Sequence, residues 1–259
     1  MNQLDTNLAI EIAHLYKSFH ANNKEIKVLK DINIKIPHGK VFGLLGPNGA
    51  GKTTALRIIA GILEPDKGEV FINGCNIKKN KADIQRKIGY LSTGTQSYPI
   101  FTGRENIKLF GSMYNISKEV INQRIKELNN VLAFDDILDK KCQEMSTGQK
   151  QKINIARTLI HDPEFIIFDE PSNGLDILTS KKLMDIIKEK KEQGKSIFYS
   201  THILSEIELI ADEIAIIYKG EILICADKTT LIQQTNTSNL SEAFLAIIEE
   251  HASKNEDPS

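Results

Sequence analysis

The 259 residues are 41% apolar and 26% charged and contain no tryptophan. These values exclude a disordered or fibrous chain and allow a core that needs no disulfide or metal staple. Lys plus Arg number 33 against 34 Asp plus Glu, a net charge of −1, which excludes the basic excess of a dedicated nucleic-acid binder. Three scattered cysteines, Cys75, Cys142 and Cys225, form no C-x-x-C; they speak against a disulfide framework or a zinc site and fit a reducing cytosol.

The opening MNQLDTNLAI lacks the charged and apolar regions of a secretion signal. No run of about 18 apolar residues occurs, so the chain is expected not to cross a membrane itself. Leu8, Ile10 and Ile12 alternate with polar or small residues and predict a half-buried strand. Ile32, Ile34 and Ile36 predict a second, stopped by Pro37-His38-Gly39. Val41 to Leu45 is apolar throughout, as in a strand buried on both faces. It runs into a glycine-rich turn and a helix from about Lys52 to Ala60. Lys78, Lys79, Lys81, Arg86 and Lys87 form a basic stretch, read as a solvated loop or, alternatively, as a contact for anionic lipid headgroups.

From about Thr102 to Ile160 the spacing is helical: Ile107, Phe110 and Gly111 share a face, and Val120, Ile121, Ile125, Leu128 and Leu132 form a stripe. A buried strand is expected over Glu164–Asp169, a helix over Leu178–Lys191 and a strand over Ser196–Ser200. A helix over Ile203–Ile210 and a strand over Glu213–Tyr218 complete the series. Such alternation implies a mostly parallel sheet flanked by helices, here interrupted by a helical insertion. Ser253–Ser259 is polar and expected to fray.

Gly46-Pro47-Asn48-Gly49-Ala50-Gly51-Lys52-Thr53-Thr54 matches G-x-x-x-x-G-K-[ST] between a buried strand and a helix. Its backbone N–H groups can converge on phosphate oxygens at a helix N-terminus. Lys52 would reach the β- and γ-phosphates and Thr53 would ligate Mg²⁺. The loop alone indicates a nucleoside triphosphate and no particular enzyme class. Phe165 to Phe168 is an apolar run that delivers Asp169 and Glu170 at the C-terminal end of a strand, where ligands bind in open α/β sheets. Asp169 is the candidate for the metal and Glu170 for polarising an attacking water.

Between these motifs lies Met145-Ser146-Thr147-Gly148-Gln149; after them come Asp169-Glu170-Pro171-Ser172-Asn173-Gly174-Leu175-Asp176 and Ser200-Thr201-His202. This order and spacing, over about residues 8 to 224, resembles the ATP-binding cassette of ABC transporters, in the export-type group that includes sodium-efflux and drug-efflux ATP-binding proteins. The resemblance implies one ATP-binding domain over residues 1–259 with a P-loop NTPase (RecA-like) α/β core at 8–94 and 163–224. It further implies an antiparallel β subdomain, an inserted α-helical subdomain at 95–162 and a helical tail at 225–259. It implies a head-to-tail dimer closed by two MgATP, peripheral to the cytoplasmic face of the cell membrane, with a separate transmembrane permease as partner. Ser146, Gly148 and Gln149 would then reach the nucleotide of the second copy, Asp176 would belong to the loop coupling the two sites, and His202 would contact the γ-phosphate. Phe19, or its neighbour Tyr16, would stack on adenine.

Thr147 stands where the family pattern has glycine, and Met145 where it has leucine; activity is expected to survive both. Thr93 falls where the family has a glutamine touching Mg²⁺, and it is expected to weaken metal coupling without abolishing turnover. Tyr98, Pro99, Ile100 and Phe101 form an apolar cluster, either a socket for the permease or core. Two rival readings remain at this point: a soluble ABC ATPase of the assembly-factor type, and an ATP-gated clamp that hardly turns over.

Overall fold

A computed structural model describes residues 8–21, 24–92, 94 and 96–255, except the side chains of 254 and 255. Two long strands, β1 (Leu8–Ala21) and β2 (Lys24–Pro37), pair antiparallel. With β4 (Lys67–Ile72) and β5 (Cys75–Asn76) they form a sheet of order β2-β1-β4-β5. The second sheet holds β3 (Val41–Leu45), β6 (Ile88–Leu91), β7 (Phe165–Asp169), β8 (Ser196–Thr201), β9 (Glu213–Tyr218) and β10 (Glu221–Ala226). Its order is β10-β9-β3-β8-β7-β6, parallel except for β10 on β9. Every residue of β3, β7 and β8 is buried, as expected of strands covered on both faces.

The helices are α1 (Lys52–Ile59), α2 (Lys81–Arg86), α3 (Gly103–Met113), α4 (Lys118–Leu132), α5 (Thr147–Leu159), α6 (Ile177–Glu192), α7 (Leu204–Ile210), α8 (Lys228–Thr235) and α9 (Leu240–Asn255). Helices α3 to α5 make up the insertion between β6 and β7. Thr102 and Glu105 close a capping box at the start of α3, and Ser146 and Gln149 another at α5. Each box satisfies N–H groups that a helix otherwise leaves without partners. Two apolar clusters result: one under the first sheet and α1, the other joining the insertion to β7, β8 and the C-terminal helices.

Four local expectations are corrected. Val120 is 38% exposed and drops out of the stripe, whereas Ile121, Ile125 and Leu132 are buried. Ala9 and Ile10 are both buried, because the β1–β2 register shifts between Leu8 and Ile10. Part of the basic stretch is helical, as α2. Helix α9 continues past Ser253, whose Oγ donates to the Glu250 carbonyl at 2.9 Å. No described helix is long and apolar enough to cross a membrane.

Candidate nucleotide and catalytic site

Strand β3 ends at Leu45 and α1 begins at Lys52, so the loop between them sits at a helix N-terminus. Gly51 occupies the N-cap with φ +108°, where no side chain caps the helix. A Cβ there would stand 2.9 Å from the Val28 carbonyl oxygen, so both conformation and space demand glycine. The Lys52 ammonium is buried and donates to the carbonyls of Gly46 at 2.7 Å and Pro47 at 3.1 Å. Val28, Asn48, Gly49, Gly51, Lys52, Thr53, Thr54 and Glu170 border a cleft of about 310 Å³. An ammonium and convergent N–H groups at a helix start suit phosphate. Ala50, also of this loop, is buried, and its carbonyl accepts from the Gly220 N–H at 3.0 Å.

Strand β7 delivers Asp169 beside this loop. The carboxylate is 1% exposed; Oδ2 accepts from the Thr53 hydroxyl at 2.7 Å and Oδ1 from the Ser200 hydroxyl at 2.8 Å. Burial pushes its pKa up, and the two hydroxyl hydrogen bonds only partly oppose that. Thr53 and Asp169 are hard oxygen donors side by side, and a nearby divalent cation would favour the charge that burial disfavours. The pair therefore fits Mg²⁺.

Glu170 adopts φ +50°, a left-handed conformation uncommon outside glycine and typical of functional sites. Its N–H donates to the Ser200 carbonyl at 3.0 Å. Oε2 accepts from Asn173 Nδ2 at 2.8 Å, and Oε1 lies 3.2 Å from Lys52 Nζ and 3.3 Å from His202 Nδ1. Burial raises the Glu170 pKa, but the Asn173 hydrogen bond and the charge of Lys52 outweigh it and hold the group below its ordinary value. It is thus a carboxylate at neutral pH, able to accept a proton.

The start of α5 lies elsewhere. Ser146 is its N-cap, with Oγ accepting from the Gln149 N–H at 3.2 Å; the Gln149 amide oxygen accepts from the Ser146 N–H at 3.0 Å. Gly148 abuts the loop after β7, since a Cβ on it would stand 2.7 Å from the Gly174 carbonyl oxygen. A second cleft of about 460 Å³, bordered by Thr147, Lys150, Asn173, Gly174 and Glu170 among others, separates the insertion from the core. Among the described residues bordering the two clefts, Glu170 alone is common to both. Asp176 caps α6, its carboxylate accepting from the Thr179 N–H at 2.9 Å and hydroxyl at 2.7 Å.

Phe19 and Tyr16 are 41% and 37% exposed on β1, so neither is core; Lys17 Nζ lies 5.5 Å from the Phe19 ring centroid. Tyr98 and Ile100 are exposed, at 46% and 69%. Thr93 lies outside the described residues. Sequence reasoning missed Ser200 as a partner of Asp169; the only cue lay in pairing β7 with β8, which sets Asp169 opposite Ser200. It also missed Arg157, which is buried over the Phe110 ring at 4.5 Å and donates to the Gln96 carbonyl at 2.9 Å.

Known proteins are similar to this chain in sequence and fold. The ABC transporter family profile matches residues 29–173. The ABC transporter ATP-binding protein NatA of Bacillus subtilis (strain 168) is 35% identical over 92% of this chain and 97% of its own length. The linearmycin resistance ATP-binding protein LnrL of the same organism is 33% identical over 88% of this chain and 76% of its own length. Among solved structures, an ATP-binding subunit of an ABC transporter superposes with TM-score 0.85 at 27% identity, covering 93% of this chain and 99% of that one. A dimeric post-hydrolysis state of the ATP-binding cassette MJ0796, bound to ADP and Pi, superposes with TM-score 0.78 at 28% identity, covering 84% and 98%.

Proposed function

The chain belongs to the ABC transporter family as an ATP-binding, ATP-hydrolysing subunit, and from that premise we propose that it sits at the cytoplasmic face of the membrane and powers export through a separate transmembrane permease. The observation that carries the catalytic part is the convergence of two pairs at the start of α1. Thr53 Oγ1 donates to Asp169 at 2.7 Å, and Lys52 Nζ stands 3.2 Å from Glu170.

In this reading the backbone N–H groups of the loop other than Pro47, together with Lys52, bind the β- and γ-phosphates, with Lys52 exchanging the Gly46 and Pro47 carbonyls for phosphate oxygens. Thr53 and Asp169 would hold Mg²⁺, which supplies neutralisation of phosphate charge. Glu170 accepts the proton of the attacking water, a contribution of about 10²–10⁴-fold. His202, 3.3 Å from Glu170, faces the same water and the γ-phosphate. Phe19 supports adenine from β1.

Ser146, Gly148 and Gln149 act on the nucleotide of a second copy. Two findings support this: the start of α5 packs on Gly174 of its own chain, and the phosphate-loop cleft is bordered by none of these three residues. The dimeric cassette among the structural relatives supports it further. Asp176, at the end of the intervening loop, would lie between the two sites. Exposed Tyr98 and Ile100 support a permease contact at the start of the insertion.

Affinity purification of the tagged chain from its native membranes in mild detergent tests the proposal. A stoichiometric polytopic membrane protein is the expected companion. Recovery from the soluble fraction with soluble partners alone would overturn the transport reading and leave the ATP chemistry standing.

A further inference from the structure

His202 sits in a two-residue connection between β8, which ends at Thr201, and α7, which begins at Leu204. Up to Thr201 the chain is held by pairing with β3, Thr201 lying opposite Leu45. The His202 side chain is 41% exposed, so its own packing holds it weakly. Its distance to Glu170 therefore depends on how firmly its backbone is held from both ends.

The start of α7 lacks the usual device for this. Its N-cap is Ile203, whose side chain has no oxygen and makes no capping hydrogen bond. In a capping box the third helical residue, if Glu, reaches back to the N-cap N–H. That residue here is Glu206, and it reaches elsewhere. Its Oε2 accepts from the Thr201 hydroxyl at 2.8 Å and from the Tyr199 hydroxyl at 2.8 Å. The Thr201 oxygen in turn accepts from the Ile203 N–H at 3.0 Å. The box thus closes through the Thr201 hydroxyl and encloses the single residue between Thr201 and Ile203, which is His202.

The network is dry: Tyr199, Thr201 and Glu206 are 0%, 1% and 7% exposed. Among the described residues Glu206 has no ion pair. A buried carboxylate without a cation is a costly way to finish a helix; Ser or Asp at the N-cap would do so at the surface without burying a charge. Fixing the flanks of His202 from the core is what the buried arrangement adds.

We propose that Glu206 is the positioning residue for His202, fixing through Thr201 the loop that carries the imidazole to Glu170. The proposal rests on the reading of His202 as a group that acts at the γ-phosphate. Both hydroxyls converge on one carboxylate oxygen, so an amide oxygen can accept both, and the contribution is geometric, without need of charge.

Steady-state ATP turnover of the purified full chain tests this. Glu206→Ala should lower kcat about 10- to 100-fold while the KM for ATP stays within about threefold. Glu206→Gln should keep kcat within about threefold of wild type, and Thr201→Val, which removes the relaying hydroxyl, should follow Glu206→Ala. Adding Glu206→Ala to His202→Ala should slow turnover no further than His202→Ala alone. Should Glu206→Ala fail to fold, the Gln and Val variants decide. Glu206→Gln as slow as Thr201→Val, or losses that multiply with His202→Ala, overturns the proposal alone. Wild-type turnover in His202→Ala overturns the reading of His202, and this proposal with it.

Discussion

Gly148→Ala tests the contact between the start of α5 and the loop after β7. The new methyl would stand 2.7 Å from the Gly174 carbonyl oxygen, against about 3.4 Å for an ordinary carbon–oxygen contact. One side must retreat by about 0.7 Å, on the order of the tolerance of a catalytic constellation. Gly174 adopts φ +81°, and the Thr147 methyl lies on its near side, so the retreat would carry residues 173–174. Asn173 is the residue that donates to Glu170 at 2.8 Å. Two stability effects oppose each other: alanine in place of helical glycine gains about 1 kcal/mol, and overpacking costs about 1–3 kcal/mol. The net loss is at most about 2 kcal/mol, a Tm shift of up to about 8 °C for a chain this size. Turnover should suffer far more, about 10- to 100-fold, because misplacement near 1 Å costs about 10²-fold. The assay is kcat at saturating ATP alongside thermal melting. A variant that melts like the wild type and turns over within twofold of it would refute the argued coupling of this contact to Glu170.

Glu170→Gln should lower turnover by at least about 100-fold and leave an ATP-dependent dimer on size-exclusion chromatography, because the base is lost and the phosphate-binding groups remain; undiminished turnover would remove Glu170 from that role. His161, stacked on Tyr114 at 3.7 Å with Nε2 3.1 Å from the Ile88 carbonyl oxygen, is pushed by burial from 6.5 down to about 4. Between those values the unfolded chain binds the proton and the folded chain does not, so stability falls as pH falls. The loss is up to about 2 kcal/mol between about pH 7.5 and about pH 5. Urea unfolding of wild type against His161→Gln should show that part of the pH slope disappearing, and equal slopes would contradict it.

What could be read in the sequence follows from how local each signal is. Residues 46–54 are contiguous, and one strand–turn–helix unit contains everything the loop needs, so its reading required no tertiary information. Asp169 and Glu170 were equally legible, because four apolar residues fix the strand whose end they occupy. The partners of those acids were not legible. Ser200 meets Asp169 only through the β7–β8 register, and Asn173 meets Glu170 only because Glu170 takes a left-handed φ that turns the chain back. Arg157 reads as one more charge on an amphipathic helix, yet it is buried over Phe110, with its pKa drawn down to about 10 by that burial. Only packing of α3 against α5 creates that site.

Glu206 is the clearest case. A Glu three residues after a helix cap ordinarily signals a surface capping box, and the local pattern gives no hint that Ile203 hands its N–H to Thr201. The diversion arises because β8 is a central strand whose last residue is wholly buried. A carboxylate on the first turn of α7 therefore meets core hydroxyls before it can meet the helix end. Position in a motif order identified His202, whereas the means of holding it depended on which strand of the sheet the preceding residues occupy. Local sequence encodes the candidate groups that the motifs name. The groups that hold them are encoded by topology, and here topology set the start of α5 against Gly174 and away from the phosphate-loop cleft of its own chain.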